Sequence, residues 1–411
     1  MKYTLMHKEI PVITLEYNEN ALAFTDVLDI YNPACFPLGT MDPDKKLFTD
    51  KSFNIRLFNK WWSKRCIPDT RANIEEKMRF LKMVSTKEFL IRSMGLTLTD
   101  QYWMKPEKYD KTWAETNFFD NDFNENIGKQ LFETTPSDDS CSGDALSPSP
   151  DAGTDGADPK KWIIDEVSKE RILIKGDIRE YFSVQYEPTN EILAAEIYKR
   201  LGLPYAEYEI VNHNQSYLSS SPCFLTKNTE MFSADKILCS FPVRSEKKNP
   251  FEHLIECCNR LRIPDAERDL TKLFTADYIL AQEDRHYRNF SFLRDSNTLR
   301  WKGLAPVYDS GKCMRFGLTD EDFRNPDLME SRNIKARPFA DNQKEQFDII
   351  PAAKYLKDLP FERLDNMEVF YDKKMQYNKR ITPERRNLLC DLLINRISET
   401  ERIITAGKII M

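Results

Sequence analysis

Three side chains in the stretch AQEDRHYRNFSFLRDSNTLRWKGLAPVYDSG, residues 281–311, could do chemistry together: Asp284, Asn289 and Asp309. Between Asn289 and Asp309 the sequence reads as a hairpin, with FSFLR and LRWKGLAPVY as strands and DSNT as the turn. Antiparallel neighbours lie about 4.8 Å apart, so the residue entering the first strand and the residue leaving the second meet at the open end. An amide oxygen beside a carboxylate is a hard-oxygen pair that suits Mg2+, an ion that keeps waters and takes phosphate oxygens for the rest of its shell. Asp284, on the loop just ahead, is placed to orient or deprotonate a hydroxyl. That set of roles is the one phosphoryl transfer requires. Taken singly the residues have plainer readings: Asp309 as a turn cap before Ser310 and Gly311, Asn289 as a loop residue. The combination D-x-H-x-x-N, hairpin, Y-D is far more specific than its parts. His286 reads as structural, bracing the loop through a backbone hydrogen bond, and as neither base nor ligand.

Nucleotide phosphates also need a cation, and Lys175, at the end of the strand RILIKGD, is placed to supply it. Its partner is expected on the following helix as Glu191 or Glu196, with Glu191 preferred. On its own Lys175 reads as a solvated strand-end lysine. The segment SPDAGTDGADPKKW offers Gly153, Thr154 and Gly156 as a loop over the phosphates, although it lacks GxGxxG and GxxxxGK[ST]. Its place between strands argues against a P-loop, which runs into a helix. Asp151, Asp155 and Asp158 would repel a triphosphate unless Mg2+ or a lysine intervenes, so this loop is expected to cover the nucleotide only transiently. Ser147, Ser149 and Thr154 read as accessible hydroxyls, and self-phosphorylation there is expected to push the loop away. Phe224, Leu225 and Thr226 are the expected adenine hinge.

These residues need a scaffold. PVITLEY and ALAFTDVLDI alternate as strands do, and IEEKMRFLKMV and STKEFLIRSMG read as helices, giving an N-terminal domain over 1–133. Residues 134–160 are dominated by Ser, Pro, Asp and Gly, with Leu146 as the only large apolar residue, and read as a flexible segment without packed elements. KWIIDEV and RILIKGD form a hairpin, NEILAAEIYKRLGL a helix ending at Gly202, and EYEIVN and SPCFLTKN further strands, so 161–232 reads as a β-rich lobe. Beyond it, 233–411 is mainly helical: FEHLIECCNRLRI, DLTKLFTADYILAQ, and a last helix capped by Thr382, started by Pro383 and closed by Gly407. Strands first and helices second predict an α+β protein of two lobes.

The bulk composition narrows the setting. The 411 residues carry a net charge of −6, with pI near 5.6 and mean hydropathy −0.59, so no broad attraction to nucleic acid or anionic lipid is expected. No run approaches the roughly 18 apolar residues of a membrane span, and the first residues lack the apolar centre of a signal peptide; the expectation is a cytoplasmic protein with no direct nucleic-acid contact. The nine cysteines and four histidines are scattered, predicting neither a disulfide framework nor a zinc site.

The motifs resemble those of the HipA-like family of serine/threonine kinases, the toxins of bacterial toxin–antitoxin modules. EDRHYRNFSF is similar to that family's catalytic loop, which matches Asp284 to the catalytic aspartate and Asn289 to the metal-binding asparagine. LAPVYDSG is similar to its second metal-binding segment, with Asp309 as the magnesium aspartate. LIKG places Lys175 as the ATP lysine, NEILAAEIYKRLGLPYAEYEI resembles the helix and strand that follow, and SPCFLTKN stands where the strand leads to the adenine hinge. The likeness spans roughly 147–400, and RLFNKWWSKRCIPDTR faintly resembles the small domain ahead of the kinase core. It implies a two-lobed protein-kinase-like fold with an extra N-terminal domain, ATP and Mg2+, a protein Ser/Thr acceptor and a helix-turn-helix antitoxin partner. The loop over the phosphates and the longer N-terminal domain depart from the best-known members. DRHxxN also occurs in phosphoinositide kinases, which follow it with a DFG-like triplet where this chain has Tyr308-Asp309-Ser310-Gly311. A lipid or small-molecule kinase and a catalytically silent nucleotide-binding module are the rival readings.

Overall fold

The computed structural model describes residues 1–133, 148–154, 156, 158–176, 186–213, 216–242, 248–356 and 360–409. The N-terminal domain is built on β1 (Lys2–His7), β2 (Ile10–Asn18), β3 (Ala23–Ile30) and β4 (Tyr102–Pro106), an antiparallel sheet in the order β3-β2-β1-β4. The alternating stretches are β2 and β3; β1 and β4 complete the sheet around them. Helices α1 (Ile55–Ser63), α2 (Ile74–Phe80), α3 (Thr86–Arg92) and α4 (Glu125–Phe132) pack about it. The side chain of Asn54 accepts from the N–H groups of Arg56 and Leu57 to start α1, which then buries Phe58, Trp61 and Trp62 at helical spacing.

The Ser/Pro/Asp/Gly-rich segment departs from expectation over 148–154. A 3-10 turn, Pro150–Gly153, is packed there with Pro150, Asp151 and Ala152 buried. Ala152 joins the apolar cluster of Ile67, Ile74 and Met78, and the Asp151 carboxylate accepts from Ser149 Oγ at 2.9 Å and from the Trp162 N–H at 3.0 Å. Composition alone misjudges this stretch because one aspartate satisfies its buried donors. Residues 134–147, including Ser147, and Asp155 lie outside the described residues.

The kinase-like N-lobe holds β5 (Lys160–Ile164), β6 (Arg171–Lys175), α5 (Glu187–Arg200), β7 (Glu209–His213) and β8 (Ser216–Pro222), with sheet order β5-β6-β8-β7. The β5–β6 hairpin and α5 fall where the sequence puts them, and Gly202 at φ +71 ends α5 as a left-handed C-terminal residue. The strand expected at SPCFLTKN lies earlier, because β8 finds partners on both sides, in β6 and β7, and its Ser-rich sequence is overridden by that pairing. Residues 223–226 leave the sheet instead.

The other lobe contains β9 (Thr229–Ser233), α6 (Ala234–Cys239), α7 (Pro250–Leu261), α8 (Ala266–Ile279), β10 (Ser291–Asp295), β11 (Trp301–Leu304) and further helices that include Met367–Met375 and Pro383–Ile409. Because β9 pairs with β10 in the sheet β11-β10-β9, the change of lobe falls in the connection before β9 and not at residue 232. Thr382 caps the last helix by accepting from the Arg385 N–H at 3.1 Å. That helix continues through Gly407 to Ile409, since one interior glycine costs only about 1 kcal/mol. Among the described residues no helix is long and apolar enough to cross a membrane, and the described cysteines are free thiols.

Helix α5 docks against the segment after β11 at a glycine. A Cβ on Gly311 would sit 2.9 Å from Glu187 Cβ and 3.0 Å from Glu187 O, while Asn190 donates to the Gly311 carbonyl at 3.0 Å. Gly311→Ala is therefore predicted to cost about 1–3 kcal/mol by overpacking, read as a lowered urea midpoint; wild-type stability would show that α5 does not seat on this glycine.

Candidate active site

Helix α8 runs into the loop that carries Asp284 and Asn289. The loop is tied to itself: the His286 N–H donates to Asp284 O at 2.9 Å, the Asn289 N–H to His286 O at 2.8 Å, and Asn289 Nδ2 to Asp284 O at 3.1 Å. This commits the amide's NH2 group and makes its oxygen the atom Asn289 can offer a cation. His286 does brace the loop through its backbone; its ring Nδ1 is buried without a hydrogen-bond partner. The Asp284 carboxylate meets Arg337 Nη1 at 3.1 Å and Lys312 Nζ at 3.8 Å.

Asp309 sits on the segment leaving β11, in the left-handed region at φ +56, a conformation Asp tolerates better than most residues. Its N–H donates to the Tyr208 hydroxyl at 3.1 Å. Lys175, 9% exposed, reaches Asp309 Oδ1 at 2.5 Å, Glu191 Oε1 at 3.1 Å and Glu187 Oε2 at 3.7 Å. Of the two glutamates the sequence offered, Glu191 is the one Lys175 meets; Glu196 pairs with Arg200 at 2.8 Å. Burial acts to neutralise every member of this cluster, and proximity decides which stay charged. For Asp309 burial is outweighed by the Lys175 and Lys160 ammoniums, which hold the carboxyl well below the usual range. For Lys175 burial is outweighed by Asp309, Glu191 and Glu187, which raise it well above an ordinary lysine. Glu191 stays raised because burial exceeds the help from Lys175. Burial pushes Lys160 down to about 8, partly offset by Asp309.

Arg285, between Asp284 and His286, joins the two segments. Wholly buried, its guanidinium pairs with Asp277 on α8 at 2.9 Å and donates to the carbonyls of Asn289 and Tyr308 at 2.8 Å each. It also donates to Ser310 Oγ at 2.7 Å and to Tyr198 on α5 at 2.9 Å. The backbone at Asn289 and the backbone entering Asp309 are thus held by one side chain.

Lys175, Glu191, Asp284, Asn289 and Asp309 all line one cavity of about 840 Å3, along with Gly153, Thr154, Gly156, Phe224 and Leu225. Thr226 does not line it: Thr226 lies in the turn before β9, with its N–H on Thr229 Oγ1 at 2.9 Å and its carbonyl taken by Gln101. Thr154 lines the cavity but spends its hydroxyl on Asp151 O at 2.9 Å, and Arg71 from the N-terminal domain grips the Thr154 carbonyl at 2.8 Å. Ser149 and Thr154 are buried, not accessible, because both hydroxyls are bonded internally. Asp151 also departs from expectation: it is buried under the loop and does not line the cavity. Asp158 lines the cavity and is met by Lys312 at 3.6 Å. Sequence reasoning missed Arg285, Glu187, Tyr208, Lys160, Lys312 and Arg337. Arg285, Tyr208 and Lys160 stood inside quoted stretches without being singled out; Glu187, Lys312 and Arg337 did not.

Removing Arg285 strands a buried charge. Arg285→Met leaves Asp277, also wholly buried, without its cation, and is predicted to destabilise by about 3–5 kcal/mol in denaturant unfolding. A loss below about 1 kcal/mol, the level of an exposed pair, would contradict the role given to this contact.

Residues 152–316 match the family model of the HipA-like C-terminal domain. No curated protein matches the chain. Among solved structures, the chain is similar to HipA of the Shewanella oneidensis MR-1 toxin–antitoxin system, solved with HipB and its operator DNA, at 14% identity and TM-score 0.54 over 97% of each chain. It also matches the Helicobacter pylori proinflammatory kinase CtkA at 18% identity and TM-score 0.49, over 62% of this chain and 93% of that one. Within a two-lobed kinase-like fold, residues 152–316 thus form a region similar to the HipA-like C-terminal domain.

Proposed function

We propose that the chain is an ATP-dependent serine/threonine protein kinase that moves the γ-phosphoryl of ATP to a protein hydroxyl. The observation that carries this reading is Lys175 Nζ meeting Glu191 and Asp309 at once, in the cavity that Asp284 and Asn289 also line. The donor set fits Mg2+: one carboxylate and one amide oxygen. Among the described residues no group of three or more His, Cys, Asp or Glu gathers for a metal, so an ion here would fill its shell with water and phosphate oxygens, as Mg2+ does. When bound, Mg2+ supplies charge neutralisation of the phosphates.

The chain's own residues do the rest. Lys175, kept protonated and aimed by Glu191, binds phosphate oxygens; Phe224 and Leu225 face the adenine end; Asp284 accepts the proton of the acceptor hydroxyl as its oxygen bonds the γ-phosphorus and the bond from that phosphorus to the β–γ bridging oxygen breaks, releasing ADP. Arg337 and Lys312 fix the Asp284 carboxylate. The presence of Lys175, Asp284, Asn289 and Asp309 together in one cavity supports catalysis over silent nucleotide binding. Self-phosphorylation at Ser149 or Thr154 would require this loop to leave its seat. An antitoxin partner accords with the Shewanella relative, solved with HipB, and the composition-based expectation of no nucleic-acid contact draws no support from a relative solved with operator DNA.

Two outcomes test this. With labelled ATP, Mg2+ and a cell lysate, wild type is expected to label protein, and Asp284→Asn to lose about a hundredfold or more of that rate; equal labelling, or none with tight ATP binding, favours the silent module. Separately, Lys160 lines the same cavity and burial brings its ammonium down to about 8, so if it meets the phosphates, ATP affinity is expected to fall as pH rises through that value. Lys160→Arg keeps its charge and should hold affinity to higher pH; identical profiles would remove Lys160 from phosphate binding.

A further inference from the structure

The cavity extends beyond the residues assigned to the nucleotide. At about 840 Å3 it nears the upper end of single-ligand pockets, roughly 300–1,000 Å3, and its second half is walled by the N-terminal domain. The C-terminal end of α1 and the 97–99 stretch of that domain form the wall, together with α6 of the other lobe. The α6 part of the wall is tied to the catalytic loop: the Ala234 N–H donates to Phe290 O at 3.1 Å and the Asp235 N–H to Tyr287 O at 3.0 Å. Lys64, capping α1, pairs with Asp235 at 2.7 Å, and the Met231 N–H donates to Thr99 O at 2.9 Å. The chamber therefore opens from Asp284 and Asn289 outward along the N-terminal domain.

Its charge is unlike that of the whole chain. Lys60, Lys64, Lys87 and Lys236 face it against Asp69 and Asp235, in a protein whose net charge is −6. A local positive wall on a negative protein suits a short anionic segment and disfavours a long polyanion such as RNA, which the remaining surface repels.

We propose that this chamber is the acceptor subsite, taking an extended protein segment with acidic residues beside the acceptor Ser or Thr. The proposal rests on the kinase reading and names its substrate class. Its test uses the full chain with ADP and Mg2+ and two labelled short peptides, one serine flanked by Asp or by Asn, followed by fluorescence anisotropy. The Asp peptide is expected to bind about tenfold more tightly than the Asn peptide, and Lys60→Glu combined with Lys87→Glu, both exposed, to erase that preference. ADP affinity, measured in the same samples, should match wild type. Equal binding of the two peptides by wild type, or a preference unchanged in the double variant, overturns the proposal. So does a single-stranded RNA oligonucleotide of equal charge that displaces the Asp peptide more effectively than unlabelled peptide. Failure to bind ADP with the peptide preference intact would count against the kinase reading and leave the acidic-segment site standing.

Discussion

The guanidinium of Arg285 is the contact on which the site's shape depends. It is buried against Asp277, and its remaining donors reach the carbonyls of Asn289 and Tyr308, the Ser310 hydroxyl and Tyr198. Those groups come from α8, the loop bearing Asp284, the segment bearing Asp309, and α5. A planar fork can satisfy so many acceptors at fixed angles, whereas an ammonium cannot. Since α5 also carries Glu187 and Glu191, one side chain sets the spacing between the oxygen-bearing residues and the carboxylates that aim Lys175.

Around that frame the charges are balanced at short range. Lys175 touches three carboxylates and Asp309 is influenced by Lys175, Lys160 and Lys312. Burial would neutralise each group alone, and only their closeness keeps Asp309 an anion and Lys175 a cation. Charge held in a low-dielectric pocket acts more strongly on an incoming triphosphate than the same charge in water. The left-handed backbone at Asp309 fits this picture of a residue placed by its surroundings, with Tyr208 and Lys175 both bound to it.

Much of this was legible in the chain. The hairpin between Asn289 and Asp309, the β5–β6 pair and the capped α5 are local, and their signals of alternation, turn residues and a C-terminal glycine are local too. Lys175 was readable because it ends a strand followed by a helix bearing a carboxylate. What escaped was tertiary. Lys160 and Lys312 look like any surface lysines until folding brings them to Asp309 and Asp284. The Ser-rich β8 gains its strand character only from neighbours on both sides, and the 148–154 turn is packed because Asp151 answers the Trp162 N–H across the segment. Thr226 was drawn into the hinge by its place beside Leu225, whereas Thr229 and Gln101 claim it for the next turn.

The N-terminal domain is part of the site's wall as well as a neighbour of it, through Arg71 on the 148–154 loop and α1 on the outer chamber. Its attachment would matter little if the frame beneath were loose. Calorimetric titration of Mg2+·ATP into Arg285→Lys, which keeps the charge facing Asp277 but loses the fork, addresses that frame most directly. Affinity is expected to fall about ten- to a hundredfold, as for other supports behind metal-side ligands, with secondary structure retained; wild-type affinity in that variant would contradict the account.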